Sequence, residues 1–495
     1  MKKSGKHFLL SSIAALATSI SVAQVQWQKE YIYSNYAVNN TAETAKTTIE
    51  TSDGGYLIGG IAEKSPRVAY MAKVAANGDS LWVRYYDANY GGFSGLSKLY
   101  RDNNNELFGV FESLYGRLAF VKLNETNGDT ISKFYGPMGP ASNYIYLAHT
   151  QLANGDYVLS YTQSTASIVK RFTPGNLNAV WTHDYAGEVI AVTSMIQDGS
   201  DLVMAGYVGA PNWEYDLAVT KLAASDGTVH WTKKYRRYAL WKDQKVGLVK
   251  NSAGDYLVAA SSQQNNKLYP SVLKVASNNG DSLSISMLTT HNGNPLNLGF
   301  CDNLVPFANG FVAAGEIDQN FNDATNTPQN CGQMALFCIS DNGQILNAYA
   351  MNQIGPYYNG SIYTGSHCWG LSCIATSDNK VLVTGKGNYN AESNGWNAAF
   401  GDAYLVKIAP ETLGLNEHSE LAGLTAWPNP SNGTVQISAS EIIEKVIVYN
   451  QLGAKVLELN ASDKTVTIDL SAMPGVYFYQ VYGNQASGTG KLIIH

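Results

Sequence analysis

Ser52-Asp53-Gly54-Gly55-Tyr56-Leu57-Ile58-Gly59-Gly60 is the stretch on which the fold turns: a polar, Gly-containing turn running straight into an apolar strand. The phrase returns as Asn104-Asn105-Glu106-Leu107-Phe108-Gly109, as Asn154-Gly155-Asp156-Tyr157-Val158-Leu159 and as Asp198-Gly199-Ser200-Asp201-Leu202-Val203. Ala253-Gly254-Asp255-Tyr256-Leu257-Val258, Ala308-Asn309-Gly310-Phe311-Val312-Ala313 and Ser377-Asp378-Asn379-Lys380-Val381-Leu382 bring the copies to seven. Recurrence of one supersecondary phrase is the mark of a repeat architecture.

Most copies lead into a second strand with a lysine near its end, as in Ala69-Tyr70-Met71-Ala72-Lys73-Val74 and Ala403-Tyr404-Leu405-Val406-Lys407-Ile408. Lys170 and Lys274 fill that slot in the third and fifth copies, and Cys338 in the sixth. A second turn follows, such as Asn77-Gly78-Asp79, Asn127-Gly128-Asp129 or Asn279-Gly280-Asp281. Asn-Gly and Asp-Gly suit two-residue hairpins, because both central positions accept φ > 0. A third strand then carries Trp and Tyr (Trp82 to Tyr86, Trp181 to Tyr185, Trp231 to Tyr235), and one more alternating stretch precedes each Gly-rich turn. Four strands per unit of roughly 45 to 70 residues predict a seven-bladed β-propeller over residues 24–415. The seventh unit stops after Lys407 without a Trp/Tyr strand, while Trp27-Gln28-Lys29-Glu30-Tyr31 stands alone before the first unit. Residues 27–31 are therefore expected to close the ring as its last outer strand, which favours a ring over a sandwich array or an open solenoid.

Composition agrees with an all-β chain. Only 15% of the 495 residues are charged, and 33 Lys+Arg against 39 Asp+Glu leave a net charge of -6. No basic field is present to hold nucleic acid. Lys2, Lys3 and Lys6 precede an apolar run from Phe8 through Val22, and Ser21-Val22-Ala23 offers small residues at the cleavage positions. Residues 1–23 thus read as a secretory signal peptide cut before Gln24. The run falls short of a membrane span, and no later segment is long and apolar enough, so the mature chain is expected to have no transmembrane segment.

Strand alternation sorts the connections onto two faces. The short Asp-Gly and Asn-Gly hairpins share one face, and the connections of variable length share the other, where function on repeat scaffolds concentrates. The longest insertions are Glu316 to Gln333, Met351 to His367 and Lys386 to Asp402. Their aromatic residues Tyr357, Tyr358, Tyr363, His367, Trp369, Tyr389 and Trp396, with Trp213 and Tyr215 of the fourth unit, are ligand-binding candidates. Aromatic rings among amide side chains suit sugar faces or polar protein surfaces; packing down their own loops is the competing reading. All five cysteines (Cys301, Cys331, Cys338, Cys368, Cys373) lie between 301 and 373. Two bridges and one free thiol are expected in an oxidising compartment, with Cys331–Cys368 the first choice of pair. No Cys-x-x-Cys or His pair points to zinc, and Asp318 and Asp323 read as solvated loop residues rather than calcium ligands. No catalytic, cofactor or metal motif is found, although a propeller could gather carboxylates from different blades.

After Leu415 the repeat gives way to a new pattern. Residues 416–425 read as a linker, and Trp427-Pro428-Asn429-Pro430-Ser431-Asn432-Gly433 opens a set of short alternating strands over 426–495. These predict a small immunoglobulin-like β-sandwich. The segment resembles the type A C-terminal sorting domain of substrates of the type IX secretion system of Bacteroidetes. The resemblance rests on Pro428, Asn429, Pro430 and Gly433, on the Tyr449…Gly453 hairpin, on Gly475 and Tyr477, and on the ending Lys491-Leu492-Ile493-Ile494. It implies export across the outer membrane, the type IX machinery as partner, and a secreted or surface-attached product. Asp79-Ser80-Leu81, Asp129-Thr130-Ile131 and Asp281-Ser282-Leu283 also resemble short O-glycosylation acceptors of Bacteroidetes, and hairpin chemistry accounts for them equally well. The reading that results is an exported propeller binding a polysaccharide or protein through its variable face. The alternatives are an extracellular carbohydrate-active enzyme with carboxylates at the channel mouth, and a structural surface protein.

Overall fold

A computed structural model describes residues 24–31, 43–62, 67–86, 92–113, 118–136, 145–163, 166–176, 178–185, 191–208, 216–236, 246–264, 267–291, 294–296, 298–322, 328–351, 367–389, 402–410, 419–420, 423–450, 455–470, 474–483 and 486–495. The signal peptide expected over 1–23 lies outside them. The chain divides into two compact units, Met1–Leu413 and Gly414–His495.

The first unit consists of seven four-stranded antiparallel blades, spanning 43–85, 93–135, 145–184, 191–235, 247–287, 298–351 and, for the seventh, 367–409 with 24–31. Blades 5 and 6 also share a single parallel bridge, Leu268 to Leu298. In the seventh blade the outer strand is Gln24–Tyr31, antiparallel to Asp402–Ala409, with Trp27 opposite Lys407 and Tyr31 opposite Ala403. Seven hydrophobic clusters fill the seven clefts between consecutive blades. One of them joins the seventh blade to the first through Tyr31, Leu382 and Leu405 against Ala45, Tyr56 and Ile58. The ring is closed.

Burial follows strand order. In blade 1 the strands Tyr56–Ala62 and Val68–Val74 are buried throughout, while the outer strand Ser80–Tyr85 is half-buried or exposed. Strands packed on both faces need unbroken apolar sequence, and outer strands tolerate polar residues. Every outer strand also slips register by one residue near its start, for example between Lys73 and Val74 or between Lys274 and Val275. Such bulges twist an edge away from further pairing. Ser80, Thr130 and Ser282 stand there, next to half-exposed Leu81, Ile131 and Leu283.

The outer-strand aromatics have a specific seat. The Trp27 ring of blade 7 lies on Gly78 of blade 1, where φ is +86° and an added Cβ would meet the indole at 2.9 Å. The Trp27 indole donates to the Ala76 carbonyl at 2.9 Å, and the Tyr31 hydroxyl donates to the Gly78 carbonyl at 2.7 Å. Glycine is thus required both for backbone conformation and for the approach of the ring. Trp82 on Gly128, Trp181 on Gly227 and Trp231 on Gly280 repeat the seat between other blades.

The repeated lysine also has a partner within its blade. Lys73 donates to Asp53 at 2.7 Å, Lys274 faces Asp255 at 3.3 Å, and Lys407 meets Asp378 at 2.9 Å while donating to the Tyr56 hydroxyl of blade 1 at 2.6 Å. In blade 3 this place belongs to Arg171, paired with Asp156, rather than to Lys170. Register explains the difference: Arg171 stands opposite Val158 as Lys73 stands opposite Leu57, and Lys170 lies over the Tyr161 ring instead.

The expected C-terminal sandwich is realised as one curled sheet. Strands Thr434–Asn450 and Lys455–Asp469 bend at register shifts between Ser438 and Lys445, so that their two halves serve opposite layers. Val435, Ile437, Val448, Ile468, Tyr479 and Leu492 fill the space between the layers. Within the stretch expected as linker, Ser419–Glu420 pairs in parallel with Ala486 and Ser487.

Two outcomes follow for stability. Trp27→Ala should cost about 2 kcal/mol in denaturant unfolding, whereas Trp427→Ala, at a ring 74% exposed, should change little. The Asp53 carboxyl is held below its usual range by hydrogen bonds from Lys73, Thr51 and the Gly55 amide. Burial would raise the Asp378 carboxyl, but hydrogen bonds from Thr376, Lys407 and Lys380 outweigh it and lower it too. Carboxyls depressed in the folded state contribute stability above their unfolded pKa and lose it as pH falls through the folded value. Melting temperature should therefore decline below about pH 4, and less steeply in Asp53→Asn.

Candidate functional site in the C-terminal sheet

The two faces of the propeller differ in how their polar groups are engaged. At the hairpin face, the amide of one turn residue reaches a side chain of another blade. Ser52 N donates to Glu125 Oε1 at 2.8 Å, Asn103 N to Gln151 Oε1 at 2.9 Å and Ala153 N to Gln197 Oε1 at 2.8 Å. Ser252 N donates to Asp341 Oδ1 at 3.0 Å, and Ser377 N to Glu50 Oε2 at 2.8 Å across the ring closure. Turn chemistry and blade joints are one system on this face.

At the opposite face, the insertion expected from Glu316 to Gln333 continues the strands of blade 6. Gly310–Asn322 and Pro328–Ser340 remain paired as far as Asn322 and Pro328. The four pairs beyond Asp318 form a two-stranded ribbon about 13 Å long. Cys331 stands on this ribbon and Cys368 near the start of the strand His367–Ala375, with side chains outside the described set. His367 opposite Tyr389 and Trp369 opposite Lys386 bring three candidate residues to the same end of blade 7. Trp213, Tyr215, Tyr357, Tyr358, Tyr363 and Trp396 lie outside the described residues.

Cys338 and Cys373 are free thiols in the core between blades 6 and 7. At most one bridge can remain among the other three cysteines, one fewer than expected. The reason is placement: these two side chains face a cleft between blades, where they pack as small apolar groups. Burial pushes the Cys373 thiol up to about 12. Among the described carboxylates at the variable end, Glu43 is buried and accepts from the Tyr85 hydroxyl at 3.3 Å, and Glu112 accepts from Ser97. No group of three or more His, Cys, Asp or Glu that could hold a metal ion occurs among the described residues.

The C-terminal sheet gathers its distinctive residues at one place. Asn429 donates from Nδ2 to the Lys491 carbonyl at 2.6 Å and accepts the Ile493 amide on Oδ1 at 2.9 Å. Ser431 N donates to the Ile493 carbonyl at 2.9 Å, and His495 N to the Ser431 carbonyl at 2.9 Å. Ser431 Oγ donates to the Thr434 carbonyl and accepts the Gly433 amide. The Pro-Asn-Pro-Ser segment therefore acts as a clasp on the outer edge of the last strand, Ala486–Ile494. Both prolines, Pro428 and Pro430, follow cis peptide bonds. Tyr477 faces the core, while Tyr449 stands opposite Phe478 in the neighbouring strand. Gly475 starts the strand Gly475–Tyr482, and Gly453 lies outside the described residues.

The family described as Secretion system C-terminal sorting domain matches residues 425–495. This segment is a type IX sorting domain. It marks the protein for export to the outer surface or beyond, and no helix among the described residues is long and apolar enough to cross a membrane. No curated protein matches the chain. Among solved structures, the chain is similar to PorZ of Porphyromonas gingivalis, an essential bacterial surface component of the type IX secretion system. The TM-score is 0.41 at 12% identity, covering 93% of this chain and 60% of PorZ. This chain therefore spans less than two thirds of PorZ's length. The Dos1 propeller gives a TM-score of 0.38 at 12% identity, with 73% and 78% covered. The quinohemoprotein alcohol dehydrogenase ADHIIG of Pseudomonas putida HK5 gives 0.39 at 10%, with 94% and 72% covered.

Sequence reading found both ends of the sorting domain but not the bonds between them. The single Asn between two prolines, Pro428-Asn429-Pro430, was the available signal. Asn429→Ala should remove both clasp bonds, cost about 1–2 kcal/mol, and speed hydrogen exchange at the Ile493 amide about tenfold or more.

Proposed function

We propose that this protein is a type IX cargo whose propeller binds a polysaccharide or protein partner through the face opposite the hairpin turns. The observation that carries the reading is the difference between the faces. One is bonded blade to blade through its turns. The other bears the projecting ribbon of blade 6 and, beside it in the ring, the His367, Trp369 and Tyr389 end of blade 7. Aromatic residues placed by strand register at one end of a rigid repeat scaffold can offer contact area at small entropic cost. The sorting domain supplies the route by which that face meets an extracellular partner.

A chain lacking 421–495 should be retained in the periplasm of a type IX-competent host, as read by fractionation. Its normal release would contradict the export role. The purified full chain, tested on a glycan array and in a hydrolysis screen, should bind without turnover. Trp369→Ala should weaken that binding about tenfold. Turnover would assign an enzyme instead, and silence in both assays a structural role.

A further inference from the structure

Two lysines on the innermost strands of blades 1 and 2 carry charges that the fold leaves unbalanced. Glu43–Glu50 and Phe93–Arg101 are the first strands of their sheets, at the opposite edge from the outer strands, and they lie against one another beside the central channel. The Leu99 amide of blade 2 donates to Thr47 Oγ1 of blade 1 at 2.9 Å. Lys46 and Lys98 stand next to the two ends of that bond, so both are held on adjoining strands at one level of the ring. Lys46 is the extra residue of a bulge, with Ala45 opposite Gly60 and Thr47 opposite Gly59. Lys98, opposite Val110, follows a second slip that leaves out Ser97. Their neighbours Ala45, Leu96 and Leu99 fill clefts between blades, whereas Lys46 is half-buried and Lys98 exposed. Burial nevertheless lowers the Lys98 ammonium from its ordinary value. A charge that water reaches and the surrounding protein still disfavours stands inside a channel, not on an outer surface.

Neither ammonium makes a hydrogen bond or an ion pair among the described residues. Other cations of the first strands are paired, Arg101 with Glu125 and Lys250 with Asp198. The described carboxylates of those strands are engaged elsewhere: Glu43 by Tyr85, Glu50 by Ser377, and Asp198 by Lys250 and Tyr256. Glu112, on the second strand of blade 2, accepts from Ser97. The repeat does not require a lysine at this level either. The register positions that match Lys98 in blades 1, 3, 4 and 5 hold the small residues Thr47, Ala148, Ser194 and Gly247.

We propose that Lys46 and Lys98 bind a phosphate group in the central channel, as inorganic phosphate or as the phosphate of a small sugar ester. Two ammoniums on adjoining strands repel each other unless an anion stands between them. A phosphate ester at neutral pH carries a charge of about −1.5 to −2 and several strong acceptor oxygens, so one group answers both lysines. A carboxylate answers one. Lysine acts on phosphate as a point charge, which needs no fixed fork of donors. The small residues at the same level leave space for a compact group.

The test titrates inorganic phosphate, glucose 1-phosphate and acetate into the purified full chain by calorimetry at constant ionic strength. Phosphate should bind saturably at one site per chain, and Lys46→Gln and Lys98→Gln should each weaken it about tenfold or more. Lys445→Gln, which removes a lysine already paired with Glu458 in the C-terminal sheet, should bind as wild type does. Without phosphate, the two channel variants should melt at or above the wild-type temperature, because each removes one of two repelling charges. Tighter binding of glucose 1-phosphate, lost in the same variants, assigns the site to a sugar ester; binding of inorganic phosphate alone assigns it to the free ion. The site is overturned by the absence of saturable binding of either phosphate, by undiminished binding in both channel variants, or by acetate binding as tightly as phosphate. Channel variants that melt well below wild type without phosphate would make the lysines structural and overturn it too.

Discussion

At four of the seven blade joints, the ring closure among them, an indole ring is seated on a glycine of the next blade. Each blade alone is a four-stranded sheet with two apolar faces, and it is stable only between neighbours. Trp82, Trp181 and Trp231 make the joint from within their own repeats. At the ring closure the same joint is made by Trp27 and Tyr31, hundreds of residues from the blade they complete. The first and last parts of the propeller sequence therefore share one sheet, and no blade is left with an open cleft.

The low charge of the chain has a layout that follows from this. Ion pairs order the hairpin turns and the strand ends beside them: Lys73 with Asp53, Arg171 with Asp156, Lys233 with Asp281, Lys407 with Asp378. Charge is used to order turns and join blades rather than to make a field. The connections at the opposite end vary in length from blade to blade, while the hairpin turns stay short.

Much of this was legible in the sequence because the relevant signals are local. The Gly-Asp-Tyr turns, the lysine slot and the Trp/Tyr strand each reflect one backbone requirement, repeated. What was not legible depends on register and distance. Arg171 rather than Lys170 takes the acidic partner because of a one-residue offset in pairing. The buried positions of Cys338 and Cys373 follow from which strand face meets the next blade, and spacing along the chain does not report that. The Glu316 to Gln333 insertion read as a loop because polar strand residues outside a sheet look like loop residues. In the sorting domain, the motif at either end was recognisable, but its physical content, Asn429 bridging Lys491 and Ile493, exists only in the folded sheet.

Closure of the ring by Gln24–Tyr31 ties the whole arrangement together, and amide hydrogen exchange measures it directly. The account predicts that the paired amides of residues 25–31 exchange as slowly as those of Tyr56–Ala62 in blade 1, because both are released only when the ring opens. Exchange of residues 25–31 at the rate of an unstructured peptide, with blade 1 still protected, would contradict it.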